Sequence, residues 1–256
     1  MLPSTLVVLG ASNVSRGFPS LVTAACRLWH EPGQLFVAKG HGRSYGLTSR
    51  LLGRTLPGIC QSGLLEAVRA APRGACSALV TDVGNDLPYG VPVETIAAWV
   101  TEVFDRLSEC GARVAVLPLP IASLRRLPRW KYVAFLRLLY PACTTSHHSM
   151  LAQADALNAS ICSAAAQRKI QVLEHDPGWY GFDPIHIRRR HVDAAWGRLL
   201  QATLDSAEGP GRERISAAPR RRLQRLRPHR FGLFGREFHT AQPSGCLADG
   251  TRIHLY

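Results

Sequence analysis

The sequence predicts a three-layer α/β/α sandwich around a five-stranded parallel sheet, on three observations. Five short runs are continuously apolar rather than alternating, the pattern of strands buried on both faces. Longer Ala- and Leu-rich stretches lie between them, so strands and helices alternate along the chain. The composition, 46% hydrophobic and 19% charged over 256 residues, is that of a globular protein. It excludes a wholly disordered chain, a fibrous repeat and a polytopic membrane protein.

The first strand is Leu6-Val7-Val8-Leu9, followed by a helix over about 18–29. Leu35-Phe36-Val37-Ala38 is the second strand, with a helix over about 46–55. Ala78-Leu79-Val80-Thr81 is the third. After it, Ile96, Val100, Val103 and Leu107 recur at helical spacing within 93–110. Val114-Ala115-Val116-Leu117 and Ile170-Gln171-Val172-Leu173 complete the sheet, with helices over about 151–168 and 188–205. Residues 118–150, rich in Pro, Arg and aromatics, are too long for a simple connection. They predict an inserted helix and loop over one end of the sheet.

Two units are expected: a domain over 1–206 with its cap at 118–150, and a basic extension over 207–256. Gly209-Pro210-Gly211 should break the preceding helix. Pro243-Ser244-Gly245 and Asp249-Gly250 are turn chemistry, so the extension is expected to end in a β-hairpin.

The 31 Lys and Arg against 18 Asp and Glu leave a net charge of +13. That excess invites an anionic partner such as nucleic acid or an acidic membrane surface. Only Lys39, Lys131 and Lys169 are lysine, however, a skew that fits a coding bias better than selection for phosphate contacts. Ten arginines fall in 207–256 against four carboxylates. The chain opens without a basic, apolar leader, and no apolar run is long enough for a membrane helix. Seven scattered cysteines without a CxxC pair read as reduced thiols, so the expected location is the cytoplasm.

Ligands of open parallel sheets sit beyond the carboxyl ends of the strands. There the sequence places Gly10-Ala11-Ser12-Asn13, then Gly40-His41-Gly42-Arg43-Ser44, then Asp82-Val83-Gly84-Asn85-Asp86, and finally Asp183-Pro184-Ile185-His186. These residue types suit acyl transfer. A Ser12 hydroxyl becomes nucleophilic when His186 takes its proton, and Asp183 would fix the imidazole tautomer. The backbone N–H groups of Ser12 and Gly42 and the Asn85 amide would hold the oxyanion. Gly40 remains an alternative to Gly42 for that N–H. The elbow Gly-x-Ser-x-Gly of another hydrolase fold fails at Val14. His147-His148 and His175-Asp176 do not converge as metal ligands, and the chemistry calls for no metal or organic cofactor.

These four blocks, in this order, resemble the SGNH hydrolases, also called GDSL esterases and lipases, over about residues 4–200. The family is named for the serine, glycine, asparagine and histidine found here as Ser12, Gly42, Asn85 and His186. The resemblance implies a flavodoxin-like sandwich and a small-molecule ester or thioester substrate. Two positions depart from the family pattern: Ala11 stands where Asp is usual, and Val83 where Gly is usual. Arg43 in the second block and Arg125, Arg126 and Arg129 on the cap suggest an anionic ester. Two other readings stand beside it. The Arg-rich tail could make the protein a nucleic-acid binder, or the domain could be a degenerate SGNH-like binding module. The sequence leaves the oligomeric state open.

Overall fold

A computed structural model describes residues 4–205 and 217–256, apart from Leu52 and Arg73. The expected boundary at 206/207 and the Gly209-Pro210-Gly211 break lie outside the described residues.

The order of elements begins β1 (Thr5–Leu9), α1 (Ser12–Leu28), β2 (Gln34–Ala38), β3 (Ser49–Leu51), β4 (Arg54–Leu56) and α2 (Leu64–Ala70). It continues with β5 (Cys76–Val80), α3 (Val93–Glu109), β6 (Arg113–Val116), α4 (Ile121–Leu124), α5 (Arg129–Leu139) and α6 (His147–Gln167). Then follow β7 (Gln171–Val172), α7 (Val192–Leu204), α8 (Ala217–Arg225), β8 (Arg230–Leu233), β9 (Arg236–His239), β10 (Gly245–Cys246) and β11 (Arg252–Leu255).

The five expected strands form a parallel core in the order β2-β1-β5-β6-β7. The strand order reverses at β1, where β2 lies on one side and β5 on the other, so a crevice opens beyond the ends of β1 and β5. Burial explains the continuous apolar runs. Leu6 and Val8 pack into one layer with α1 and α7. Val7 and Leu9 face the other way, into the layer of α2, α3 and α6. Period-two alternation is still present, but both faces are inside.

The sheet has seven strands rather than five. β11 runs parallel to β2, pairing Ile253 with Leu35 and Leu255 with Val37, and β10 pairs antiparallel with β11. The expected helix over 46–55 is also corrected. β3 and β4 form a hairpin there, and β4 pairs antiparallel with β8 of the tail in a four-stranded second sheet, β3-β4-β8-β9. β4 has its second partner, β8, far away in sequence, which local propensity does not reveal.

α1 and α7 approach closely because residue 17 is glycine. A Cβ there would lie 1.9 Å from the indole nitrogen of Trp196. Gly17→Ala gains about 1 kcal/mol of helix propensity but overpacks a buried tryptophan. We expect a net loss of about 1–2 kcal/mol of unfolding free energy, read as a lower urea midpoint at unchanged slope.

Candidate active site

Helix α1 begins at Ser12, directly after β1, with Ala11 in a non-helical cap conformation and no side-chain cap of its own. The cap comes from the turn after another strand. Asp82, after β5, accepts the Ala11 N–H at 2.8 Å and the Asn13 N–H at 3.1 Å through one carboxylate oxygen. A carboxylate at a helix N-terminus satisfies orphan donors and complements the helix dipole. Asp82 itself adopts φ 56°, a left-handed conformation that Asp tolerates better than most residues. The amide between the two capped ones, that of Ser12, donates to no acceptor among the described residues.

Asn13 ties this turn to the histidine loop. Its Nδ2 donates to Asp82 Oδ1 and to the Ile185 carbonyl, each at 2.8 Å, while its Oδ1 accepts the Ile187 N–H at 3.0 Å. His186 is thereby gripped on both sides. Within the loop, Asp183 Oδ1 accepts the N–H groups of Ile185 (3.3 Å) and His186 (3.2 Å), an Asx-type turn. That local turn explains the Asp-x-x-His spacing. It brings the imidazole back so that His186 Nδ1 lies 2.7 Å from Asp183 Oδ2.

On its other side, His186 Nε2 lies 2.8 Å from Ser12 Oγ. An ionised carboxylate only accepts, so Nδ1 carries the proton and Nε2 is free to accept from the hydroxyl. Partial burial alone would raise the Asp183 carboxyl. The hydrogen bond and charge of His186, with the two backbone N–H groups, outweigh it and hold the carboxyl below its ordinary value. Arg16 stands 3.4 Å from the same oxygen, but both groups are about one-third exposed and solvent weakens the pair.

The second turn is built to expose its backbone. Gly42 has φ +60°, and its carbonyl accepts the Tyr89 hydroxyl at 2.7 Å. The Gly42 N–H has no acceptor among the described residues, whereas the Gly40 N–H donates to the Ala11 carbonyl at 3.4 Å. Asn85 Nδ2 reaches the Arg43 carbonyl at 3.4 Å. Asp86 locks the turn from below: it accepts the Ser44 hydroxyl and the Tyr45 N–H (3.0 Å). Ser44 Oγ in turn accepts the Gly46 and Leu47 N–H groups. Asp86 is fully buried, which pushes its carboxyl up.

Ser12, Asn85, Asp183 and His186 line one cavity of about 200 Å³. Gly42 is not among its lining residues; it joins that wall through the bond from Asn85 to the next residue in the turn. The cap supplies much of the rest, with Leu124 and Leu127 beside α4 and Leu136, Leu139 and Tyr140 at the end of α5. His175 forms part of the wall. Its Nε2–H donates to the Pro118 carbonyl and its Nδ1 accepts the Tyr180 hydroxyl, and burial lowers its basicity. The cationic rim expected from sequence is changed. Arg43 is fully buried and donates to the carbonyls of Pro57, Lys39 and Tyr256, and Arg125 pairs with Asp155 at 3.0 Å.

No family model and no curated protein matches the sequence. Solved structures do match. The inhibitor-bound aryl esterase of M. smegmatis superposes with a TM-score of 0.53 at 12% identity, over 79% of this chain and 100% of that one. Est24, a carbohydrate acetylesterase from Sinorhizobium meliloti, superposes with a TM-score of 0.52 at 12% identity, over 79% and 99%. The fold is that of the SGNH hydrolases. On this SGNH fold all five residues singled out from sequence stand at the carboxyl edge of the sheet, four of them around the cavity. Sequence reasoning missed Asp82, Asn13 and Asp86, which hold the turns in place. All three stand within the blocks read from the sequence, but a side chain that holds a turn through backbone N–H groups leaves no local pattern that assigns it that role.

Proposed function

We propose that the protein is a serine esterase that cleaves carboxylic esters with a neutral acyl group. Ser12 Oγ attacks the acyl carbonyl carbon as its proton passes to His186 Nε2. The carbonyl oxygen becomes an oxyanion held by the N–H groups of Ser12 and Gly42 and by Asn85 Nδ2. Collapse expels the alcohol, protonated by His186, and leaves an acyl-Ser12. Water, deprotonated by His186, then releases the acid and restores the hydroxyl. Asp183 keeps the imidazole in the working tautomer and stabilises its charged form.

The observation that carries this reading is the unbroken hydrogen-bond chain from Ser12 through His186 to Asp183 at the wall of an apolar cavity. The two unengaged backbone amides beside it support an oxyanion role, since amides already bonded within the fold would be costly to redirect. Two neighbours of the same fold are named as esterases, which agrees with the class of reaction. Ser44 offers no rival nucleophile, because its hydroxyl is fully buried and donates to Asp86. Arg43 is turned into the core, and none of Arg43, Arg125, Arg126 and Arg129 lines the cavity, which favours a neutral acyl group over an anionic one.

The test is hydrolysis of p-nitrophenyl butyrate by the wild type and by Asp183→Asn. The amide cannot hold the same tautomer, and kcat should fall by about 10³–10⁴-fold. Equal rates would remove Asp183 from the mechanism.

A further inference from the structure

We propose that the outer face of the cap docks on an anionic lipid surface and presents the mouth of the Ser12 cavity to that layer. Residues 118–150 hold five cations (Arg125, Arg126, Arg129, Lys131 and Arg137) and no Asp or Glu. Only Arg125 has a carboxylate partner among the described residues. Charge alone would attract any polyanion. The cap adds an apolar face.

Helix α5 is apolar on two sides. One side, with Leu136 and Leu139, lines the cavity. On the other, Trp130 is 66% exposed and Leu138 77% exposed, with Val133 and Ala134 exposed between them. A surface helix of a globular protein carries polar residues on that side. An apolar stripe flanked by Arg and Lys is instead the pattern of a helix lying in a lipid interface, where Trp is favoured and long basic side chains reach the headgroups.

A second segment extends the patch to the site. Phe182 is 69% exposed and precedes Asp183; the Lys131 ammonium sits 3.5 Å over its ring and 5.4 Å from that of Trp130. Ile185, also exposed, lines the cavity. The apolar surface thus runs from α5 to the residues flanking His186. A second copy of this chain fits the face poorly, because it would set like charges against each other on a chain of net charge +13. A bilayer with anionic headgroups satisfies both the stripe and the cations.

This inference rests on the proposed esterase reading only for what would enter the cavity; binding itself is independent of catalysis. The test is cosedimentation of the full chain with phosphatidylcholine vesicles, with and without phosphatidylglycerol. Wild type and Ser12→Ala should bind the anionic vesicles equally and bind the neutral ones weakly. The double variant Trp130→Ala/Leu138→Ala should bind about tenfold more weakly while turning over p-nitrophenyl butyrate at the wild-type rate in vesicle-free buffer. Binding by the double variant equal to wild type would assign the attraction to charge elsewhere and overturn the proposal. So would no binding by wild type, or a dimer that the double substitution splits. Vesicle binding without any esterase activity would instead uphold the docking face and reject the esterase reading.

Discussion

Ser12→Ala is expected to lower kcat/KM for p-nitrophenyl butyrate by about 10⁴–10⁶-fold, equivalent to about 5–8 kcal/mol of transition-state stabilisation. In the proposed mechanism Ser12 Oγ is the group that forms the acyl intermediate. His186 and the oxyanion donors would remain, but with only water to activate they should give a small residual rate. The fold should be unaffected. Among the described residues the hydroxyl bonds only to His186, and the turn is held by Asp82 and Asn13 through groups the substitution leaves in place. The circular dichroism spectrum and urea midpoint should therefore match the wild type. Retained activity would disqualify Ser12 as the nucleophile.

Deleting residues 245–256 is expected to leave the chain largely unfolded, although none of these residues lines the cavity. The deletion removes Ile253 and Leu255, both fully buried, at about 1.5–3 kcal/mol each. It also strips β2 of its parallel neighbour and exposes the edge at Leu35 and Val37. Arg43 loses the Tyr256 carbonyl while its guanidinium stays buried, an unsatisfied charged donor that costs about 1–3 kcal/mol or more. Together these approach the entire stability of a typical domain, about 5–15 kcal/mol. The consequence reaches the site, since Arg43 follows Gly42 in the turn. Soluble expression and the urea midpoint read the result, and a truncated chain with the wild-type midpoint would contradict it.

How much was legible in the sequence depended on whether a signal was local. The parallel core was legible because a strand buried on both faces must be apolar throughout, as in Leu6–Leu9. Asp183 and His186 were legible because one Asx-type turn joins them, and Ser12 because it stands at the strand-to-helix turn. Helix α1 starts at Ser12, six residues before its expected start at 18, because its cap is the carboxylate of Asp82 in the turn after β5. The segment 46–55 carries leucines at helical spacing, yet its partner is β8, near residue 232. The seventh strand of the sheet is read only once β11 is seen beside β2. Arg43 was misread for the same reason: its neighbours in sequence suggested the site, but its guanidinium points to Tyr256. The +13 charge also changes in meaning. Its most informative portion is the carboxylate-free cap rather than the tail with its ten arginines.

The central claim is that Ser12 is an activated nucleophile, and labelling with a fluorophosphonate tests it most directly. Ser12 Oγ should displace fluoride from phosphorus, and peptide mass mapping should find one adduct, on Ser12. The adduct should be absent in Ser12→Ala and strongly slowed in His186→Ala. No adduct on the folded wild type, or an adduct on another residue, would contradict the account.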